Sequence, residues 1–433
     1  MGAAERRPRF IFIDRGYPTD KIILKGSICR KLRIGTAYKG ENMFKLEELL
    51  ESQIDKNKKP FIYLAEGSLD KDARPLAAAY RLSEFSNVVL IGKPGLMKEN
   101  AANSKMFAEY AAKINMQSTE LIAKTLERVE VIDPETQETA EKRKIYGAGA
   151  FKLVGQKWKK SETELIEMMK DHLLFAIMGT AEIDGYGRDG HAVLGGLYST
   201  TGSFFGPGLR LHPRSGTVFE AGVFSFQDDN CPRNVYPGNI VIFGDVAVVT
   251  EMSAEKLADV AVGTCKIARD LLPEKDFPEI YGSIVSYSTK GSGAGPTVDM
   301  TREAYKIIAD SLNKLSKIDP LYKQIHITPE VQYAVAVNGK QAERKLDIND
   351  PVNAAAGRSN VIILPNLDFG NSMYHLHSAY YPDSQKILCV GGFKNNSILD
   401  FSRGQKIEEV ILGGMAVILR QQYLQDFNPK LGK

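Results

Sequence analysis

No stretch of this chain approaches the roughly 20 consecutive apolar residues that a membrane-spanning helix requires. Its start, MGAAERRPRF, lacks the apolar core of a secretion signal. Arg6 stands where N-myristoylation of Gly2 would want Ser or Thr. Cysteine is scarce: Cys29, Cys231, Cys265 and Cys389 are scattered, with no CxxC pair. That excludes a disulfide framework and a zinc knuckle, and it implies buried thiols in a reducing cytoplasm. Charge of one sign is missing too. The chain has 56 Lys+Arg against 53 Asp+Glu, a net charge of +3. So small an excess argues against nucleic acid or an acidic membrane surface as a partner. Any anion it binds is expected to be small and locally held. There is no internal repeat and no low-complexity segment. His375 and His377 have the i, i+2 spacing of one strand face, but no carboxylate cluster flanks them, so no metal site is expected.

What is present is a chain of 433 residues, 43% of them hydrophobic, long enough for two domains with real cores. One pattern recurs: a short β-branched run ends in small or polar residues. Examples are Phe61-Ile62-Tyr63-Leu64, Val88-Val89-Leu90-Ile91, Ile240-Val241-Ile242-Phe243, Ile284-Val285 and Val361-Ile362-Ile363-Leu364. Continuous apolar runs mean strands buried on both faces, hence largely parallel sheets covered by helices. Ligands in such sheets collect at the carboxyl ends of the strands. Ser253 predicts the N-cap of a helix with Leu257, Val260, Ala261 and Ala268 on its apolar face. Residues 43–54 read as an amphipathic helix, and 133–145 as a charged, exposed stretch. Strand-like runs at 10–13 and 22–24 carry no motif. Asp228-Asp229 and Asp347/Asp350 read as solvated turns.

Three segments carry chemistry. The first, Ser286 to Gly295, lies between a strand and a helix. Its glycines can turn backbone N–H groups toward one point and form an anion nest, with Ser288, Thr289, Lys290, Gly291, Ser292 and Gly293 as candidate ligands. The plain alternative is a flexible connection. It is neither a Walker loop nor a GxGxxG. The second, Asp400-Phe401-Ser402-Arg403-Gly404, opens the last helix, expected to begin near Gly404. Arg403 can grip a phosphate in a bidentate fork while Ser402 donates a hydrogen bond. Equally, Ser402 with Gln405 is a capping box. Glu409 lies two turns up the same face. The third, Pro365 to Asn371, follows a strand and offers Asn366 and Asn371, or else a turn built on Asx hydrogen bonds.

In this order, SYSTKGSG, AGRSNVIILPNLDFGN and DFSRG before a terminal helix resemble the phosphate acetyl/butyryltransferase family. LAEGSLDKDARPLAAA, DGHAVLGGLYSTTGSF and GDVAVVTEMSAEKLADVA add to the likeness, which covers roughly residues 60–425. The resemblance implies an α/β fold like that of isocitrate dehydrogenase: two α/β/α domains with mostly parallel sheets and a cleft between them. The expected division is an N-terminal extension over 1–59, a first domain over 60–216, a second over 217–395, and a return to the first over 396–433. It also implies a homodimer that moves a short acyl group between coenzyme A and inorganic phosphate. Coenzyme A and acyl phosphate are then substrates, with no tightly bound cofactor and no metal. Ser402, Arg403 and Glu409 take the catalytic roles.

This sequence departs from the family pattern in places. Gly206 precedes Pro207 where the family has Arg, and Lys157 is the nearest cation to a second family Arg. Val246 replaces a Cys. Glu409 replaces an Asp and is one methylene longer. Arg188, Arg210 and Arg214 are candidates to supply the missing charge. A weakly active or inactive homologue that binds coenzyme A or phosphate in a regulatory or structural role is the alternative. A metal-dependent dehydrogenase of the same fold would need a carboxylate metal site and a nucleotide site, and the sequence has neither.

Overall fold

The structure is a computed structural model that describes residues 44–69, 72–227 and 235–427. The runs at 10–13 and 22–24, Cys29, Cys231 and Asp228-Asp229 lie outside the described residues. Eleven strands occur among the described residues. They are β1 (Phe61–Leu64), β2 (Asn87–Ile91), β3 (Glu130–Ile132), β4 (Ala192–Gly195), β5 (Arg214–Ser225), β6 (Ile240–Gly244), β7 (Ile280–Val285), β8 (Ile325–Val331), β9 (Val361–Ile363), β10 (Gln385–Phe393) and β11 (Ile398–Asp400). They form two sheets, ordered β11-β4-β1-β2-β3 and β10-β5-β6-β9-β7-β8.

Every pairing in the first sheet is parallel. In the second, β6, β9, β7 and β8 are parallel, and β5 runs antiparallel to β6 and β10. The five apolar runs read from sequence are all strands, buried because helices cover both sheet faces. Ser253 caps the helix Ala254–Leu271 by accepting the Lys256 N–H. The helix expected over 43–54 forms as Leu46–Glu51, with Leu46, Leu49 and Leu50 buried. The stretch 133–145 is less exposed than expected. Arg143 is buried there, donating to the Pro134 and Thr136 carbonyls and the Thr139 hydroxyl. Among the described residues, no helix is long and apolar enough to cross a membrane.

The chain leaves the first sheet after β4, builds the second, and returns as β11, which pairs beside β4. The last helix, Ile407–Phe427, packs on helix Arg74–Leu82 and along the edge strand β10. Arg420 on this helix donates to the Val390 carbonyl and pairs with Asp270 at 3.3 Å. The helix so covers an edge that would otherwise stay open.

Two histidines at the amino end of β4 and beyond it make stability depend on pH. His212 is buried between the Ser397 hydroxyl at 2.6 Å and the Ile177 carbonyl at 2.9 Å. Burial pushes its pKa down to about 4, against the Ile177 hydrogen bond and helped by Arg188. His191 is pushed down to about 4 as well, by burial and then by Arg188. Between pH 6.5 and 4 the unfolded chain binds a proton that the folded chain refuses. Stability from His212 is therefore complete above that window and falls by ~3 kcal/mol across it. Urea midpoints taken from pH 8 to pH 5, before most carboxylates titrate, should fall steadily below about pH 6.5. A flat profile there would contradict the neutral imidazole.

Candidate functional site

Charged and polar residues lie at the carboxyl ends of the strands in both sheets. On the first sheet lie Glu66 beyond β1, residues 196–200 beyond β4, and Asp400 closing β11. On the second lie Asp245 beyond β6, the glycine loop beyond β7, and Asn366 beyond β9. Glu220 of β5 joins them. Its N–H donates to Asp245 Oδ1 at 2.8 Å, and its carboxyl is pushed well above the usual range by burial, then by Asp400 and Asp245. Asp400 is pushed up to about 7 by burial, with a hydrogen bond from Thr201 opposing and Glu66 adding. Its Oδ1 is buried without a partner among the described residues, as is Nε2 of Gln405. Buried polar atoms left unpaired are uncommon in native structures, and each calls for an explanation. Gly196 has φ +88°, and a Cβ there would lie 2.0 Å from Asp400 Oδ1, so only glycine fits.

Ser402 and Arg403 stand exposed just past β11. The Arg403 guanidinium has no hydrogen-bond or ion-pair partner among the described residues, but its carbonyl is held. Arg74 Nη1 donates to the Arg403 and Gln405 carbonyls, each at 2.8 Å, and Nη2 donates to the Leu197 carbonyl at 2.7 Å. Asp72 braces the same guanidinium at 2.5 Å. The β4 loop is held from its other side by Glu66, which accepts the N–H groups of Leu197, Tyr198 and Ser199. One arginine therefore ties the Ser402-Arg403 turn to two other loops.

This clamp corrects the expected helix start. The last helix begins at Ile407, not near Gly404, and Ser402 is not its cap. Ser402 and Gln405 instead close a turn: the Gln405 side chain accepts the Ser402 N–H at 3.0 Å. The carbonyls of 403 and 405 point to Arg74 and are not available to a helical ladder, whose Val410 N–H reaches the Lys406 carbonyl. Glu409 is buried in the first turn. Its Oε2 accepts the Lys406 N–H at 3.1 Å and its Oε1 lies 3.6 Å from Lys386 Nζ.

The glycine loop is not the open nest that the sequence suggests. All six N–H groups of 288–293 already have acceptors. Those of Ser288, Thr289 and Gly293 reach the Ser286, Ser292 and Ser288 hydroxyls, and that of Ser292 reaches the Thr289 carbonyl. Gly291 donates to the Glu330 carboxylate at 2.9 Å, and Lys290 to the Glu330 carbonyl. The Ser288 hydroxyl also donates to that carboxylate, and Thr289 Oγ1 accepts the Gln332 N–H. Burial would raise the pKa of Glu330, but Arg302, Ser288 and the Gly291 N–H outweigh it and hold it at about 2. An internal carboxylate fills the nest. The loop still presents Lys290, exposed at φ +45°, with no ammonium partner among the described residues.

Asn366 caps the helix Leu367–Tyr380 by accepting the Phe369 N–H at 2.9 Å, and the Asn371 amide donates to the Val246 carbonyl at 3.2 Å. A Cβ at Gly370 would sit 1.9 Å from the Asp245 carbonyl oxygen, which shows how closely this helix abuts the end of β6. His375 and His377 lie on this helix, not on a strand. They therefore face different ways: His375 is exposed, and His377 is buried against Phe224, Phe226 and Phe243. Tyr374, just before them, has its phenol raised by burial and then by Glu220 and Glu409.

Gly206 lies in the helix Thr201–Leu211 at ordinary φ, with only Arg210 Nη1, at 3.9 Å, near a Cβ built there. Of the three arginines named above, Arg210 thus overlies the position. Arg188 instead donates to the His191 carbonyl at the amino end of β4, and Arg214 opens β5. A groove of 410 Å³ lined by Trp158, Met168, Ser203 and Pro207 runs beside this helix. Asp133, Glu135 and His172 bring potential metal-ligand atoms within 4.8 Å of one another, but Lys93 Nζ sits 2.8 Å from Glu135 and fills the place of a cation.

Sequence reading missed Arg74, Glu66, Glu330, Lys386 and Asp400. The first two stand in the quoted stretch LAEGSLDKDARPLAAA, and Asp400 opens DFSRG; nothing local marks Glu330 or Lys386.

A family model described as Phosphate acetyl/butaryl transferase matches residues 46–418. The phosphate acetyltransferase of Clostridium acetobutylicum is 29% identical over 374 residues, which is 84% of this chain and 96% of that enzyme. That of Helicobacter pylori is 27% identical over 348 residues, and there the match spans only 56% of the relative. The EutD phosphotransacetylase structure from Staphylococcus aureus superposes with a TM-score of 0.63 at 22% identity, covering 88% of this chain and 99% of that one, so it shares the fold. Matched over residues 46–418 and folded as those relatives are, this chain belongs to the phosphate acetyl/butaryl transferase family.

Proposed function

We propose that this protein moves a short acyl group between coenzyme A and inorganic phosphate. The observation that carries the reading is the Ser402-Arg403 turn: Arg74 fixes its backbone, while the Arg403 guanidinium is exposed and unpaired among the described residues. Glu409 takes the proton of the coenzyme A thiol. A thiol with a pKa near ~8.5 is only a few per cent ionised at pH 7, so a base is needed. The sulfur attacks the carbonyl carbon of the acyl phosphate and forms the C–S bond. The C–O bond to phosphate then breaks, and its electron pair leaves with the phosphate. Ser402 donates to the developing oxyanion and Arg403 pairs with the phosphate. Lys290 on its rigid loop, with Asn366 and Asn371, borders coenzyme A. Coenzyme A is a substrate here, not a resident cofactor.

The test is acetyl-CoA formation from acetyl phosphate and coenzyme A, with butyryl phosphate alongside. Thioester formation with either donor is expected. No turnover with both, at millimolar substrate, would overturn the reading and leave a binding homologue.

Gly206→Arg is expected to strengthen acyl phosphate binding. The position has ordinary φ and open space, and glycine inside a helix costs roughly 0.5–1 kcal/mol relative to alanine, so the variant should fold. A charge-assisted fork is worth about 1.5–3 kcal/mol, which predicts a KM for acetyl phosphate lower by roughly tenfold or more. An unchanged KM would mean that Arg210 already serves that phosphate, or that the phosphate lies elsewhere.

A further inference from the structure

Lys386 is the second residue of β10. Register pairs Lys386, Leu388 and Val390 with Phe224, Gly222 and Glu220, and the two-residue period puts all six on one face. That face is apolar around Lys386 and is covered by Tyr374, against which Gly222 packs. The Lys386 side chain is only 18% exposed, and among the described residues it has one ion-pair partner, Glu409, itself 9% exposed. A lysine so placed needs a reason beyond stability. A buried ion pair is often no better for folding than an apolar pair of similar volume.

We infer that Lys386 is a positioning residue that aims the Glu409 carboxylate at the substrate thiol. The inference rests on the proposed acyl transfer. Glu409 is held at two points. The Lys406 N–H fixes Oε2 from the helix side, and the Lys386 ammonium draws Oε1 toward β10. At 3.6 Å the ammonium is beyond hydrogen-bond length, so Oε1 keeps its lone pairs for a proton. The residues come from different parts of the chain: Lys386 from the second sheet, Glu409 from the helix that returns to the first. The pair thereby makes the reach of the base depend on how the two layers sit together. A longer side chain at 409 has one more rotatable bond to restrain, and a distant cation restrains it without competing for the same oxygen lone pair.

Steady-state rates on five variants test this. Lys386→Met should lower kcat by about 10–100-fold, the loss expected when a reacting group is misplaced by ~1 Å. KM for coenzyme A should stay within about twofold, because the interaction removed acts on the chemical step. Lys386→Arg should recover most of the rate. Lys113→Met removes the exposed partner of the adjacent Glu408 and should leave kcat unchanged. The double variant Lys386→Met/Glu409→Gln leaves no unpaired charge, so it should fold even if the single one does not. It should be no slower than Glu409→Gln alone, since Lys386 has then nothing to aim. Normal kcat with a lowered melting temperature in Lys386→Met would show that the pair only fastens the helix. A loss confined to KM, or a double variant slower than Glu409→Gln, would show that Lys386 meets substrate directly. Either result overturns the inference. Absent turnover in the unsubstituted protein would instead sink the proposed function, and this inference with it.

Discussion

Arg403→Ala is expected to lower kcat by about 10²–10³-fold while leaving the melting temperature unchanged. The size follows from removing a preorganised donor at the site of developing charge. The silence in stability follows from the structure: the guanidinium is exposed and has no partner among the described residues, and substitutions of that kind usually stay within about 0.5 kcal/mol. Arg74→Ala is the contrast. It strips hydrogen bonds from the carbonyls of Leu197, Arg403 and Gln405 and leaves Asp72 without its cation, so rate and melting temperature should fall together. Ser402→Ala belongs with Arg403→Ala, because Ser402 does not cap the last helix and its loss should show in rate alone. Rates and thermal melts on the three proteins separate these cases. If Arg403→Ala kept full activity with acetyl phosphate, the Ser402-Arg403 turn would be a structural corner, and the proposed mechanism would fail at its centre.

Glu409→Gln is expected to cut kcat by roughly 10²–10⁴-fold, the usual contribution of a general base. The amide oxygen can still accept the Lys406 N–H, so the first turn of the helix should persist. Only the basic carboxylate and its attraction for Lys386 are lost. KM should therefore change much less than kcat. Rates that remain within threefold of the parent would assign proton removal to another group. A collapse of the fold would instead mark the Lys386–Glu409 pair as a structural joint.

How far the sequence could be read depended on the distance over which each interaction acts. The five apolar strand runs were legible because a strand buried on both faces must be apolar throughout, and that is a property of consecutive residues. The cap at Ser253 was legible for the same reason: its bond spans three residues. β11 was not legible as a strand. Three residues carry no period, and its place beside β4 depends on a return across more than 200 positions. His375 and His377 read as one strand face only because the helix that carries them was not yet placed.

The same rule divides the site. By itself the sequence named the residues proposed for the chemistry, Ser402, Arg403, Glu409 and Lys290, and determined the order of motifs that marks the family. What only the tertiary structure decided is how they are held. Arg74 draws away the carbonyls of 403 and 405, so the helix starts at Ile407 and Ser402 caps nothing. Glu330 fills the glycine loop from another strand, so the nest has no free N–H between 288 and 293. Lys386 meets Glu409 across two layers. In each case a charged side chain far away in sequence meets a group that short-range rules assign to local bonds alone. It can do so because a buried charge must find its partner wherever the fold brings one, and the nearest partner along the chain has no special claim.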